Sequence, residues 1–325
     1  MSLMLFSVLK IKNAVLVFSG FLISLFLKKP IAFGMPLTLS VEPVNFCNLS
    51  CPECPVGNGT LARKKAQMEL ETYRNIIQQS RQGLFYLTLY FQGEPLLHPE
   101  IIKMIQIAKK ANLYVAISTN AQLLNDEMAK NIVESGVNKL IVSIDGTTQE
   151  VYEKYRQNGL LSLAINGIAN IQKWKRAMHK KTPLLEMQFL VLKHNEHQLV
   201  AVKKLAKQLE VDKLSFKSAQ ICDYKHGSDL IPTKQKYARY KKNADGTYRR
   251  KKKMRNRCWR AFSGAVITVT GDVVPCSFDK NGTHVFGNIR EHSLRVIWHS
   301  QKAQAFREQV LTDRKGIEIC RNCIV

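Results

Sequence analysis

Three cysteines within eight residues are the feature of this sequence that most directly suggests chemistry. Cys47, Cys51 and Cys54 have the spacing C-x3-C-x2-C in the run from Glu42 to Pro55. A structural zinc usually takes four protein ligands, and no fourth ligand stands near Cys54. An iron-sulfur cluster held by three thiolates keeps one iron open for a ligand that is not protein. The spacing therefore favours such a cluster, with zinc or redox-active thiols as the alternatives.

A second cysteine set lies near the end of the chain. Cys258 is followed by twelve residues, Gly271, four residues and Cys276, and a C-x2-C pair comes later at Cys320 and Cys323. The sequence between Cys258 and Cys276 alternates about a Thr-Gly-Asp turn, which predicts a β-hairpin. A helix is predicted over roughly Leu294 to Leu311, before the C-x2-C pair. Four thiols suffice for one cluster ligated entirely by protein, or for one zinc ion.

Cys222 belongs to neither cysteine set and has no assigned role. We interpret it as a small buried apolar residue rather than as a proton donor to a substrate.

Strand-like and helix-like segments alternate from Pro36 onward, and they must position the first cysteines. The predicted strands are Leu37–Val41, Leu84–Phe91, Leu113–Ser118, Lys139–Ile144, Leu185–Leu192 and Lys213–Ser218. The predicted helices between them lie near Leu70–Ser80, Glu100–Ala111, Asn125–Glu134, Gln149–Arg156 with Leu161–His179, and Glu196–Leu209. Such alternation predicts an α/β fold with a parallel sheet and right-handed crossovers. Because parallel α/β folds place their chemistry after the strands, the loop that carries the cysteines should lie at the carboxyl edge of the sheet.

The C-x3-C-x2-C motif after the first strand resembles the radical S-adenosylmethionine (SAM) enzyme superfamily, and the resemblance spans roughly residues 36–220. It implies an α/β fold with a partial (β/α)6 TIM-like barrel. It also implies a 4Fe-4S cluster on Cys47, Cys51 and Cys54 whose open iron chelates SAM. Reductive cleavage of SAM then gives a 5'-deoxyadenosyl radical, with an electron donor such as flavodoxin or ferredoxin. Glu53 stands where the family often has an aromatic residue, and it is unexplained.

The resemblance also implies SAM contacts in the loops after the strands. Gln92-Gly93-Glu94-Pro95 is similar to the family's Gly-Gly-Glu-Pro, and Ser118-Thr119-Asn120 is similar to its Thr-Asn-Gly turn, with Ala121 in place of the glycine. The implied contacts are to the amino group of SAM from the first motif and to its ribose from the second. The residues carried over are Gly93, Glu94, Ser118 and Asn120.

Two further loops complete the implied SAM site. Ser143 begins a Ser-Ile-Asp-Gly run similar to the family's Ser-Leu-Asp-Gly, and Arg156 follows eleven residues after Asp145. Ser143 is expected near the ribose or carboxylate. Arg156 is expected to hold the carboxylate, because a guanidinium offers it two parallel hydrogen bonds. By weaker analogy, the backbone of Leu190 is expected to contact adenine.

The second cysteine set resembles the auxiliary-cluster domain of many radical SAM enzymes, called SPASM in its full form and twitch when shortened. The resemblance implies one auxiliary 4Fe-4S cluster on Cys258, Cys276, Cys320 and Cys323. A cluster with four protein ligands has no open iron, so an electron-transfer or pocket-shaping role is expected.

The net charge of +24 is concentrated between Lys234 and Arg257, where twelve Lys or Arg face only Asp245. A solvated linker explains this segment, and so does a binding surface for anionic lipid or a phosphorylated substrate. Nucleic acid is not favoured, because no aromatic ladder or nucleic-acid fold signature accompanies the charge. Clustered rather than scattered cysteines indicate metal ligation in a reducing compartment, hence a cytoplasmic location.

The first thirty residues are apolar and basic, and no acid occurs before Glu42. The uncharged run from Ala14 to Leu27 would be about 21 Å long as a helix, which is short for the roughly 30 Å hydrocarbon core. A signal peptide is disfavoured, because no convincing small-residue cleavage site follows. Two interpretations stay open: a helix lying on an anionic membrane surface at the inner face, and a helix packed on the bottom of the barrel.

The chain is predicted to have four parts: an apolar helix in 1–35, a radical SAM core in 36–230, a basic linker in 231–257 and a small hairpin and helix auxiliary domain in 258–325. The predicted function is radical SAM chemistry on an unidentified substrate, in either peptide maturation or small-molecule oxidation. The competing hypothesis is a non-catalytic iron-sulfur or zinc protein with an electron-transfer or structural role.

Overall fold

The structure, a computed structural model, describes residues 8–323. Its helices are α1 (Val8–Leu27), α2 (Leu70–Ser80), α3 (Ile101–Lys110), α4 (Asp126–Glu134), α5 (Gln149–Glu153), α6 (Leu161–Ala177), α7 (Leu199–Gln208), α8 (Arg260–Ser263), α9 (Leu294–Trp298) and α10 (Gln301–Thr312). Its strands are β1 (Thr38–Val41), β2 (Tyr86–Thr88), β3 (Tyr114–Thr119), β4 (Lys139–Ser143), β5 (Leu184–Val191), β6 (Lys213–Ser218), β7 (Tyr240–Lys242), β8 (Tyr248–Arg250), β9 (Gly264–Ile267), β10 (Asp272–Val274) and β11 (Gly287–Asn288).

Strands β1 to β6 form the parallel sheet that the alternation of segments predicts. Each pairs in parallel with the next along the chain. The whole sheet has the order β11-β10-β9-β1-β2-β3-β4-β5-β6. The predicted α/β class and partial (β/α)6 barrel are confirmed.

The two faces of the sheet differ in chemistry, which is why the strand pattern could be read from the sequence. On β4, Leu140 and Val142 are fully buried in the core shared with the helices. On the inner face, Lys139 pairs with Glu186 of β5, with Nζ 2.6 Å from Oε2. Side chains alternate across a strand, so one face builds the core and the other lines the polar interior of the barrel.

The C-terminal segment continues the sheet rather than standing apart from it. Strand β9 pairs in parallel with β1, with Leu39 opposite Ala265, and β10 returns antiparallel with Val273 opposite Ile267. The predicted hairpin is therefore present and lies against the first strand of the barrel. The helix expected over Leu294 to Leu311 is instead α9 and α10, because the Ser300 side chain accepts a hydrogen bond from the Ala303 N–H and starts a new helix.

Helix α1 lies across the amino-terminal ends of the strands. Its Asn13 side chain donates to the carbonyl oxygens of Met35, just before β1, and Gly83, just before β2, at 3.0 and 3.1 Å. The interpretation of a helix packed on the bottom of the barrel agrees with this placement.

Helix α1 is longer than the uncharged run from Ala14 to Leu27. It has 20 residues because it begins at Val8, and by length and composition alone it could cross a membrane.

The predicted basic linker contains structure of its own. Strands β7 and β8 form a two-stranded antiparallel sheet in which Lys241 faces Arg249. The proposed domain boundaries around this segment remain predictions.

Candidate cofactor site

The three early cysteines lie in the loop after β1, at the carboxyl edge of the sheet. Cys51 is buried, and Cys47 and Cys54 pack against the same small apolar cluster. Burial raises the pKa of Cys47 to about 11 and also raises that of Cys51. The three thiols are thus gathered on one apolar surface, and binding iron would displace their protons.

Gly93 lets the loop after β2 pack directly against the cysteine loop. Its φ is +76°, and a Cβ placed there would lie 2.6 Å from the Val44 carbonyl oxygen and 2.7 Å from that of Phe46. The next residue, Glu94, donates its backbone N–H to the Phe46 oxygen at 2.9 Å. No residue other than glycine fits this contact without moving the cysteine loop.

The Glu94 carboxylate joins the loops after β2 and β3. It accepts hydrogen bonds from the Thr119 hydroxyl at 2.7 Å, the Asn120 N–H at 2.8 Å and the Leu96 N–H at 3.1 Å. Burial raises the pKa of Glu94, and these three bonds oppose that rise. Asn120 in turn places its Nδ2 3.6 Å from the Cys47 sulfur. Two predicted SAM residues therefore border the cysteine loop.

Arg156 reaches the same loop from the other side. Its Nε lies 2.6 Å from Asp145 Oδ2, and its Nη1 lies 3.9 Å from the Cys51 sulfur. Burial would lower the pKa of Arg156, but the charges of Asp145 and Cys51 raise it. The guanidinium therefore stays charged beside a predicted cluster ligand.

The backbone of Leu190, expected near adenine, already has partners. Its N–H donates to Asp145 Oδ1 at 2.6 Å, and its carbonyl accepts from Asn195 Nδ2 at 2.9 Å. Only the second lone pair of that carbonyl is left for a ligand.

Ser118 lies one residue from the end of β3, and Ser143 is the buried last residue of β4. Both stand at the carboxyl edge with the other predicted contacts. The role of each of these residues toward SAM stays a prediction.

Glu42 is a buried residue at this edge that the sequence analysis did not single out. Both its oxygens pair with Arg63, at 2.5 and 2.7 Å, and they also accept from the N–H groups of Gln92 and Val269, at 3.3 and 3.0 Å. Arg63 Nε donates to the Lys280 carbonyl at 2.8 Å. Glu42 and Arg63 thereby connect the cysteine loop, the Gly93 loop and the C-terminal segment.

The four late cysteines line a single small cavity together with Arg314. Burial raises the pKa of Cys276 to about 12. Burial also raises the pKa of Cys320, against the opposing effect of Arg314. Arg314 is itself almost fully buried, and its Nη2 lies 3.4 Å from the Cys323 sulfur. Four thiols and a buried cation around one cavity suit a group that carries negative charge.

Glu53 and Cys222, both unexplained by the sequence, are partners. Glu53 Oε2 accepts a hydrogen bond from the Cys222 N–H at 2.8 Å, so the cysteine loop is tied to the segment after β6. The interpretation of Cys222 as a buried apolar residue is wrong, because Cys222 is exposed. Burial of part of the thiol and the nearby charge of Glu53 raise its pKa.

An open cavity of about 310 Å³ lies on the inner face of the sheet. Its wall is mostly apolar and includes Ser40, Thr88, Tyr90, Arg260 and Cys276. A small molecule or one side chain of a larger substrate would fit such a space.

Both cysteine groups fit an iron-sulfur cluster by their chemistry. Their sulfurs are free thiols, and N–H groups already point at them from Leu49, Asn120, Arg156 and Arg314. N–H groups of this kind tune cluster potentials when they bond to the sulfurs. Within residues 8–323, no three His, Cys, Asp or Glu side chains are arranged to bind a single metal ion.

Two known families match separate parts of this chain. The sequence profile of the radical SAM superfamily matches residues 41–180. The profile of the SPASM domain, described as an iron-sulfur cluster-binding domain, matches residues 258–324. The two regions contain the first and second cysteine sets respectively.

A relative from Pyrococcus furiosus is described as a tungsten-containing aldehyde ferredoxin oxidoreductase cofactor-modifying protein. It is 27% identical over 313 residues, covering 88% of this chain and 86% of the relative.

Several solved structures share the fold. Streptococcus suis SuiB bound to S-adenosylmethionine has a TM-score of 0.65 at 15% identity, over 89% of this chain and 72% of SuiB. The protein anSMEcpe with bound AdoMet also has a TM-score of 0.65, at 18% identity over 89% and 88%. BtrN in complex with AdoMet and 2-DOIA has a TM-score of 0.53 at 21% identity over 90% and 94%.

Proposed function

We propose that this chain, which matches the radical SAM superfamily over residues 41–180 and an iron-sulfur cluster-binding domain of the SPASM type over residues 258–324, cleaves SAM reductively to start a radical reaction. When bound, the cluster at the first cysteine set supplies the electron that breaks SAM into methionine and a 5'-deoxyadenosyl radical, which abstracts hydrogen from substrate. The observation that carries the proposal is the cysteine loop after β1, bordered by Gly93, Asn120 and Arg156.

In this proposal, the residues around the loop hold SAM by its polar ends. Arg156 keeps a charged guanidinium beside Cys51 and would pair with the carboxylate of SAM. Glu94 holds the loop after β3 in place through Thr119 and Asn120. Ser118, Ser143 and the Leu190 carbonyl stand at the same edge, where the ribose and adenine would lie.

We propose two 4Fe-4S clusters per chain, one on each cysteine set. The cavity shared by Cys258, Cys276, Cys320 and Cys323 supports the second cluster. With four protein ligands it would have no open iron, which suits electron transfer rather than substrate anchoring. A flavodoxin or ferredoxin is the proposed electron donor, and the net charge of +24 supports it, because a basic surface speeds the approach of an acidic protein.

The proposed substrate is a peptide or a small polar molecule. Other structures of SuiB and anSMEcpe contain a precursor peptide, SuiA, and a Cp18Cys peptide, which supports the first choice. The cavity of about 310 Å³ on the inner face of the sheet would accept one side chain of such a peptide or one small molecule. The proposed location is the cytoplasm, at the inner face of the membrane.

The test is anaerobic incubation of reconstituted, reduced protein with SAM, followed by measurement of 5'-deoxyadenosine. We expect 5'-deoxyadenosine from the wild type and none from the Cys47→Ala/Cys51→Ala/Cys54→Ala variant. Cys222→Ala, which removes a cysteine outside both sets, is the matched control and should retain SAM cleavage. Absence of product from iron-loaded wild-type protein would overturn the proposal.

A further inference from the structure

The outer face of α1 is an uncovered apolar stripe. Ten of the sixteen exposed large hydrophobic residues within 8–323 lie between Val8 and Phe33. Six of them repeat every three or four residues along the helix: Val8, Ile11, Val15, Phe18, Leu22 and Phe26. Val8 is 82% exposed and Phe26 is 86% exposed. A stripe of this length on a water-facing helix indicates a partner surface.

The opposite face of α1 is fixed to the barrel by polar contacts. Lys10 Nζ donates to the Asn112 carbonyl at 2.9 Å, and Asn13 holds Met35 and Gly83. The Ser24 hydroxyl, fully buried, lies between Gly20 and Ile31. These contacts would have to break for the helix to cross a membrane. With the contacts in place, the helix stays on the barrel and exposes the stripe along its outer side.

Exposed cations stand next to this stripe. Lys252, Lys253, Arg255 and Arg257 line one groove with Trp259 and with Phe21 and Leu25, two half-buried residues of α1 beside the stripe. The adjoining groove shares the two lysines and adds five further cations: Lys225, Arg249, Arg250, Lys315 and Arg321. No acidic residue lines either groove, within the part of the chain that the structure describes.

Trp259 joins the apolar and basic parts of this surface. Its ring lies edge-on to Phe21, with centroids 5.1 Å apart, and it is 37% exposed. Tryptophan with one apolar side and one wet side is typical of the boundary between lipid and water.

We propose that the outer face of α1, Trp259 and the cations of 252–257 form one surface that docks on an anionic membrane. In this arrangement α1 lies in the plane of the interface, its stripe enters the acyl region and the cations contact lipid headgroups. A second copy of the chain is a poorer occupant, because two such cationic surfaces would repel each other. The cysteine loop, at the opposite end of the strands, would face the cytoplasm.

The test is sedimentation of the full-length, cluster-loaded protein with vesicles. The vesicles contain either phosphatidylcholine alone or equal parts of phosphatidylcholine and phosphatidylglycerol. We expect strong binding to the anionic vesicles, weak binding to the neutral ones, and release from the anionic vesicles at high salt.

Two variants separate the apolar and electrostatic contributions. Val15→Ser/Phe18→Ser/Phe26→Ser should reduce binding by about tenfold or more. Its matched control is Leu163→Ser/Val200→Ser/Val296→Ser, which alters exposed apolar residues on other helices and should bind like the wild type. Lys252→Ser/Lys253→Ser/Arg255→Ser should lose about fivefold per cation at low salt. Its control, Lys203→Ser/Lys204→Ser/Lys207→Ser on α7, should lose little.

Circular dichroism and iron content establish that each variant is folded. Vesicle binding is measured directly, so the result does not depend on whether the protein cleaves SAM. Equal binding to both vesicle types, no binding at all, or equal losses in variants and controls would overturn the proposal. A second outcome would also overturn the proposal: the wild type does not bind vesicles but is a dimer, and Val15→Ser/Phe18→Ser/Phe26→Ser is a monomer. The stripe would then serve self-association.

Discussion

Gly93 shows how one residue without a side chain can determine the packing of two loops. Its φ of +76° and its contacts with Val44 and Phe46 leave no room for a Cβ. The motif analysis singled out Gly93 from a family pattern. The structure adds the physical reason, which is a close approach of two backbones beside Cys47.

We expect Gly93→Ala to displace the cysteine loop and to lower iron bound at the first cysteine set. Iron and sulfide should fall from about eight to about four per chain, because the auxiliary site keeps its own four ligands. Iron and sulfide assay measures this change.

The matched control for Gly93→Ala is Gly59→Ala. Gly59 has a φ of +74° but nothing within 4 Å of a Cβ, so it tests backbone conformation without the clash. Equal iron loss in both variants would contradict the role assigned to the close contact.

Arg314 is a buried cation beside the proposed auxiliary-cluster site. Its buried guanidinium lies 3.4 Å from the Cys323 sulfur. Positive charge and N–H bonds at the sulfurs favour the reduced state of a cluster. Arg314→Gln should therefore lower the midpoint potential of the auxiliary cluster, as measured by EPR during a redox titration. The neighbouring substitution Lys315→Gln is the control, and an unchanged potential in Arg314→Gln would contradict this role.

At the scale of elements, the pair of Glu42 and Arg63 connects parts that are distant in sequence. Glu42 has no exposed side-chain area, and Arg63 has 11%. Removing one partner of a buried pair leaves an uncompensated charge, which costs about 3–5 kcal/mol. We expect Arg63→Met to destabilise the protein by this amount in anaerobic urea unfolding.

The control for Arg63→Met is an exposed pair. Arg176 and Glu210 are 65% and 67% exposed, and Arg176→Met should cost about 1 kcal/mol or less. Adding Glu42→Gln to Arg63→Met should recover part of the loss. If both single variants cost the same, the buried pair does not hold the loops as described.

Elements with a clear periodic pattern of apolar residues were predicted well from the sequence. The span of α2 and that of β6 agree residue for residue with the predicted segments, because periodic apolar residues meet one core. The break between α9 and α10 carried a local signal, the capping residue Ser300. Strands β7 and β8 were missed because their residues are mostly basic and lack the apolar alternation of a core strand.

The candidate site was predictable only where a motif marked it. The cysteines and Gly93 belong to recognisable patterns, whereas Glu42 is a lone carboxylate whose partners come from three distant segments. The exposure of Cys222 was also unpredictable, because it follows a strand in an irregular segment where no periodicity sets burial. Long-range packing decides both cases.

At the scale of the molecule, the two cysteine modules share one sheet. Strand β9 pairs with β1 over four residues, and Val269 donates to Glu42 beside the cysteine loop. No local feature of the sequence indicated this pairing. The SPASM segment is therefore a structural part of the barrel as well as a separate set of ligands.

We expect a chain truncated after residue 257 to lose the first cluster as well as the second. The edge of β1 would be exposed and would favour aggregation, and Glu42 would lose one of its hydrogen-bond donors. Size-exclusion chromatography and iron assay of the reconstituted fragment measure this outcome. The control is the full-length Cys258→Ala/Cys276→Ala variant, which keeps β9 and should keep about four irons per chain. A soluble monomeric fragment with a stable first cluster would contradict the shared-sheet account.

The central claim is that SAM binds the cluster on Cys47, Cys51 and Cys54, while the other cluster has no open iron. EPR spectroscopy of two reduced variants, with and without SAM, tests this claim most directly. The variant Cys258→Ala/Cys276→Ala/Cys320→Ala/Cys323→Ala keeps only the first cluster, and we predict that SAM changes its signal. In Cys47→Ala/Cys51→Ala/Cys54→Ala only the auxiliary cluster remains, and SAM should leave its signal unchanged. A SAM-dependent change in the second variant, or none in the first, would contradict the account.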